Sequence, residues 1–298
     1  MSTRFVIILS LLAIAAIVST LAYRAHSRQS DLQARALAEA QFQNDALAAI
    51  EQEARQMLLA AATAAVAARG SPDQLDGCGP AFQEVGRSNS LFAGLTAFDL
   101  QGLPLCTGPA TWLKKVEPRL LERALASEGF VVGEHTVAET IAKRVLPFAQ
   151  PFYDRDHRAL GVVVTMIELD RLARRLARNW RMEDSIITIA DRSANILVRL
   201  PNSGSWVGRR LPDELVSVLR LPTPGTTKVA LASGDRIEAV GYIPLDPPPS
   251  DLFVSVGFQT TSVIGELKRS LRRSVMPVTL VLLAAGLLVV LLPHPRRE

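Results

Sequence analysis

Aromatic residues, cysteines and histidines are scarce in this sequence, and each shortage closes a route. Aromatics make up 5% of the 298 residues and do not interleave with the basic ones, so no nucleic-acid partner is expected. Two cysteines cannot staple a disulfide-dense mini-protein. The four histidines, at 26, 135, 157 and 294, are too scattered for a metal-ligand cluster, and neither metal nor cofactor is expected. Catalytic signatures are missing as well. Gly204-Ser205-Trp206-Val207-Gly208 has its serine one place too early for a nucleophile elbow, and there is no His-Glu-x-x-His and no phosphate loop. The chain reads as a non-enzyme. Disorder is excluded too, since 48% of the residues are hydrophobic.

Charge is absent from two runs. Phe5 to Ala22 holds 18 uncharged residues and Val275 to Pro293 another 19, each roughly the thickness of a bilayer core at about 1.5 Å per residue. The first run exceeds the apolar core of a signal peptide, which favours an uncleaved anchor over a cleaved leader, although Arg4 precedes it and Thr20 and Ala22 suit a cleavage site. Residues 1–4 and 294–298 then read as cytoplasmic ends, 5–22 and 275–293 as transmembrane helices. Arginines and lysines flank the runs more heavily on the inner side of the chain, at 24, 28, 35, 268, 269, 272 and 273, than outside, at 4, 296 and 297. The positive-inside rule is calibrated on short loops and does not govern the 252 residues between. The expected location is a bacterial inner membrane with the main domain periplasmic and membrane lipid as a partner.

From Asp31 to Arg69 there is neither glycine nor proline, and 15 of 39 residues are alanine. This predicts a helix that stops at Gly70-Ser71-Pro72, within a stalk at 23–70, with Leu47, Ile50, Ala54, Met57 or Leu58, and Ala61 on one stripe. Such a rod could carry a homodimer seam. Beyond it, strands are expected at 91–98, 103–106, 130–137, 143–152 and 159–169, with a helix at 117–127. Asp170 is read as capping a helix whose apolar face carries Leu172, Leu176 and Trp180. Arg171, Arg174, Arg175 and Arg178 lie off that face, as a solvated surface or a phospholipid contact. The pattern then restarts, with strands at 185–190, 196–200, 226–232, 236–244 and 252–258, and helices at 212–219 and from 260. Asp99 and Asp191 are 92 residues apart, as are Val162 and Val254, which suggests one module used twice, at 71–169 and 170–274.

Cys78 and Cys106 would be unrelated buried thiols in a reducing compartment. In an oxidising one they could close a 28-residue ring, a disulfide contributing on the order of 3–4 kcal/mol, and the membrane reading favours that pairing.

Several strings resemble the double-Cache (PDC-like) sensor domains of bacterial diguanylate cyclases and sensor histidine kinases. In the first half they are Phe98-Asp99-Leu100-Gln101-Gly102, Phe130-Val131-Val132-Gly133-Glu134 and Leu146-Pro147-Phe148-Ala149-Gln150-Pro151. The second half offers Ile189-Ala190-Asp191-Arg192, Leu197-Val198-Arg199-Leu200-Pro201 and Trp206-Val207-Gly208-Arg209. The resemblance implies an α+β fold, a long N-terminal stalk helix and two tandem PAS-like antiparallel-sheet modules between the membrane helices. It implies a small-molecule site in the first module, over Phe130 to Thr136 and Lys143 to Asp154, where His135, Thr136, Arg144, Tyr153 and Asp154 supply polar groups. It also implies a signal passed across the membrane to a separate kinase or cyclase, since no output module follows the second apolar run. The Arg-x-Trp-Tyr motif of the amino-acid-binding branch is not matched, because Gly108 to Leu113 holds neither arginine nor tyrosine. A binding or assembly protein without signalling output, or a membrane-bound hydrolase, are the other readings.

Overall fold

Alanine-rich sequence without glycine or proline favours unbroken helix, and the computed structural model shows α1 running from Thr3 to Arg69 as one element. The structure describes residues 3–69, 78–108, 114–138, 142–178, 180, 185–201, 203–230, 237–245 and 251–259. Its remaining helices are α2 (Cys78–Ser88), α3 (Pro118–Ser127), α4 (Leu169–Ala177) and α5 (Asp213–Val218). The first sheet holds β1 (Phe92–Phe98), β2 (Pro104–Thr107), β3 (Val131–Val132), β4 (Thr136–Ala138), β5 (Lys143–Tyr153) and β6 (Ala159–Glu168). A second sheet holds β7 (Ser185–Ala190), β8 (Ile196–Leu200), β9 (Gly225–Ala230), β10 (Ile237–Ile243) and β11 (Phe253–Gln259).

The strand orders are β2-β1-β6-β5-β3, with β4 also on β5, and β8-β7-β11-β10-β9. Both are the same antiparallel path, so the chain does use one module twice. The repeat is not a constant offset, however. Phe98 pairs with Val162 in the first sheet, whereas Ala190 pairs with Phe253 in the second. The first hairpins are 92 residues apart and the last strands 91. One residue matters because side chains alternate faces along a strand. Val162 faces α3, while Val254, its expected counterpart, faces α1.

The core runs along α1. Leu47, Ile50, Ala54, Leu58 and Ala61 are buried in one cluster with Leu146, Phe148 and Ile167 of the first sheet and Ile189, Val254 and Val256 of the second. Each sheet's other face is covered by a short helix: α3 packs on Ala149, Val162 and Val164, and α5 on Ile196, Val240 and Phe253. Cys78 at the start of α2 is bonded to Cys106 on β2 with 5.9 Å between Cα atoms, fastening that helix to the sheet edge.

The membrane placement does not stand. Among the described residues no helix is long and apolar enough to cross a membrane. Residues 5–22, the uncharged run read as the first span, form the start of α1, a helix of 67 residues whose described side chains combine a buried, alanine-rich stripe with charged and polar faces. The inner-membrane and periplasmic location is therefore overturned, and residues 275–293, read as a second span, lie outside the described residues. Smaller corrections are local. Helix α4 begins at Leu169 after Glu168, so Asp170 sits in its first turn and does not cap it. The strand expected over 130–137 is two strands, because Pro147 opposite it has no N–H to share. Only its carbonyl serves the pairing, accepting from the Gly133 N–H at 2.8 Å.

Candidate functional site

That interruption has a consequence for the site. Released from the sheet, Glu134 and His135 reach the second module. Glu134 Oε1 accepts from the Ser193 hydroxyl at 2.9 Å, and His135 Nδ1 lies 3.4 Å from Asp191 Oδ2. Nearby, Asp251 accepts from Arg123 of α3 at 2.8 Å and pairs with Arg192 at 2.9 Å. These contacts tie α3 and the 133–135 segment to the hairpin turn of the second module.

Asp191 is central to that turn. Its Oδ1 accepts from the backbone N–H groups of Ser193 and Asn195 at 3.0 and 2.8 Å. Asp99 does the same for Gln101 and Leu103, and Asp154 for Asp156 and Arg158. All three are three-residue hairpin loops closed by a residue in the left-handed region: Gly102, His157 and Ala194, with φ of 78°, 59° and 65°. Asp191 differs in burial, at 1% exposed. Burial alone would raise its pKa. Hydrogen bonds from His135 and from the backbone and side chain of Asn195, with the nearby imidazole, outweigh that and hold the carboxyl below its ordinary value.

The residues expected to line one pocket are divided by β5. Thr136 pairs with Val145 and Arg144 with Val137 at one end of that strand, and Arg144 is exposed. Tyr153 and Asp154 stand at the other end, nine residues away, which is about 30 Å at the usual strand rise. No single small molecule touches both ends. His135 belongs to the junction between the modules, and Asp154 spends its Oδ1 on its own turn.

Tyr153 is a different case. Its hydroxyl is buried with no hydrogen-bond partner among the described residues. Burial raises the phenol's pKa above its ordinary 10.0, and the charge of Glu128, the residue that ends α3, raises it further. Beside it, Phe98, Val131, Ala149, Val162 and Val164 form an apolar floor beneath Leu120, Leu121 and Ala124 of α3. The site is thus a helix-covered sheet face with one unanswered polar group at its end. Residues 109–113 and 139–141, which adjoin it in sequence, lie outside the described residues. Among the described residues no group of three or more His, Cys, Asp or Glu side chains could hold a metal ion.

Solved structures place this architecture. An extracellular ligand-binding receptor from Desulfohalobium retbaense superposes with a TM-score of 0.58 at 11% identity, over 74% of this chain and 39% of that one. The ligand-binding domain of the Pseudomonas fluorescens chemoreceptor CtaA, in complex with L-isoleucine, matches at 0.60 and 15%, over 82% of this chain and 98% of that one. The ligand-binding domain of the Pseudomonas aeruginosa PAO1 amino acid chemoreceptor PctC, in complex with GABA, matches at 0.53 and 18%, over 78% and 99%.

This is the double-Cache fold.

At these identities the likeness is one of fold. The chain spans well under half of the Desulfohalobium receptor and nearly all of the two chemoreceptor domains. No family model matches the chain, and no curated protein matches it. The double-Cache structures named above are ligand-binding receptor domains, not enzymes. Of the residues expected at the site, Tyr153 stands at the end of β5 nearest the end of α3, while Glu134, Ser193 and Asp251, which join the two modules, were not among them. The spacing of Arg144 and Tyr153 along one unbroken strand was the available sign that they could not converge.

Proposed function

We propose that the chain is a sensor domain that binds a small molecule between the first sheet and α3, and passes the resulting shift to the second sheet through α1. The buried Tyr153 hydroxyl carries this reading. An unsatisfied buried hydroxyl costs about 1–3 kcal/mol, and a bound molecule with one hydrogen-bonding group over an apolar body would supply the missing bond. The chemoreceptor domains of this fold hold L-isoleucine and GABA, molecules of that size. Coupling follows from the core, because α1 packs both sheets into one cluster and β5 cannot move without disturbing it. A ligand acts by favouring one of two arrangements of that shared core.

A thermal-shift screen of amino acids, amines and organic acids on the full chain tests this. A binding compound should raise the melting temperature, and Tyr153→Phe should abolish that rise. Without ligand the variant should be as stable as the parent or more stable, by up to about 1 kcal/mol, since it discards an unpaired buried group. A variant that binds the same compound as tightly as the parent would remove Tyr153 from the site.

A further inference from the structure

Away from this site, a groove of about 820 Å³ lies between α1, the turn after α2 and α4. Four arginines line it, at 171, 174, 175 and 178, a spacing that sets all of them on one face of the helix. Glu53 is the only carboxylate in the lining. Two of the cations are held in place. Arg171 donates to the Ser90 carbonyl at 2.8 Å and pairs with Glu168 at 3.1 Å, and Arg175 stands 3.8 Å from Glu53. The other Glu53 oxygen is taken by the Asn89 side chain at 3.0 Å. Arg174 and Arg178 have no ion-pair partner among the described residues.

Like charges three and four residues apart oppose helix formation. Arg174 and Arg175, in the last turn, gain something from the helix dipole, but Arg171 near the start of α4 does not. The arrangement therefore needs a counter-charge, and Glu53 in the lining, with Glu168 shared between Arg171 and Lys143, leaves the four positive charges about two short. Guanidinium forks match phosphate oxygens in pairs, and the two phosphoryl groups of a diphosphate offer one such pair to each of Arg174 and Arg178, the forks with no ion-pair partner among the described residues. We infer that the groove binds a soluble compound carrying a diphosphate, with Arg174 and Arg178 gripping the phosphoryl oxygens while Arg171 and Arg175 fix the framework. The site is independent of the Tyr153 region and does not rest on that reading.

Calorimetric titration of the full chain with inorganic pyrophosphate tests it. Saturable binding is expected, weakening as salt is raised. The double variant Arg174→Gln, Arg178→Gln should bind at least tenfold more weakly with an unchanged melting temperature, because both side chains are exposed. Replacing the same pair with lysine should recover part of the affinity, as charge returns without the fork. The proposal is overturned by absence of binding, by equal binding to the glutamine variant, or by retention on anionic phospholipid vesicles in place of pyrophosphate binding.

Discussion

Gly241→Ala should destabilise the protein by about 3 kcal/mol, the upper end of the usual cost of overpacking, with a matching loss in the denaturant midpoint. Helix α1 crosses β10 at this residue with its backbone almost touching the strand. A methyl group there would run into the Ala36 carbonyl and the Leu37 amide nitrogen, main-chain atoms that cannot swing aside. Ala36 and Ala40 are fully buried on the same side of the helix, so small residues on α1 and glycine on the strand together permit the approach. Gly79→Ala is the control. Beyond its chain neighbours and its own helix, nothing lies within 4 Å of a methyl group at that position in α2, and the helix-former gain is offset by the crowding of a residue that precedes Pro80, so stability should change by less than about 1 kcal/mol. Equal and small effects in a urea titration of both variants would mean that α1 does not sit on β10 as described.

Asp191→Ala should cost a comparable amount, about 3 kcal/mol, and loosen the junction between the modules. The substitution orphans the backbone amides of Ser193 and Asn195 and the Asn195 side chain together, and leaves His135 facing a void. Asp191→Asn keeps an oxygen for the two amides and should lose only about 1 kcal/mol. The acid limb of the stability curve carries the same information. Folding lowers the Asp191 pKa, so its contribution is complete above the unfolded value of 3.8 and disappears as pH falls through the lower native value. The parent should therefore lose stability more steeply below about pH 4 than Asp191→Asn does. Parallel curves for parent and variant would show that the carboxylate is not specially held.

Alternation and turn chemistry made most of the strands legible. Asp99, Asp154 and Asp191 each mark a hairpin, and the apolar run Val162-Val163-Val164 is the centre of β6 as its composition suggests. Three features were not legible. Helix α2 begins with Cys78-Gly79-Pro80, a start that reads as loop, and it is held by its disulfide and by Phe82 in the core. The gap between β3 and β4 arises from a proline on the neighbouring strand, which no local pattern in 130–137 reveals. The repeat offset slipped by one because β6 carries valines on both faces, so Val254 of β11 can be aligned with Val162 or with Val163. At the site, composition drew attention to Tyr153. What sets it apart from Arg144 and Asp154, a buried hydroxyl with no described partner, is a product of how α3 and the sheet close over it. The helical spacing of the α4 arginines was equally visible, but that Glu53 and Asn89 form the opposing wall depends on α1 passing alongside.

The most direct test of ligand binding in the first module is amide hydrogen exchange on the full chain, with and without the compound that gives the largest thermal shift. Exchange should slow over α3 and over Ala149 to Tyr153 of β5, with a smaller change along Leu47 to Ala61 of α1, where the shared core would carry the shift. Slowing confined to α5 and β10 of the second module, with α3 and β5 unaltered, would contradict it.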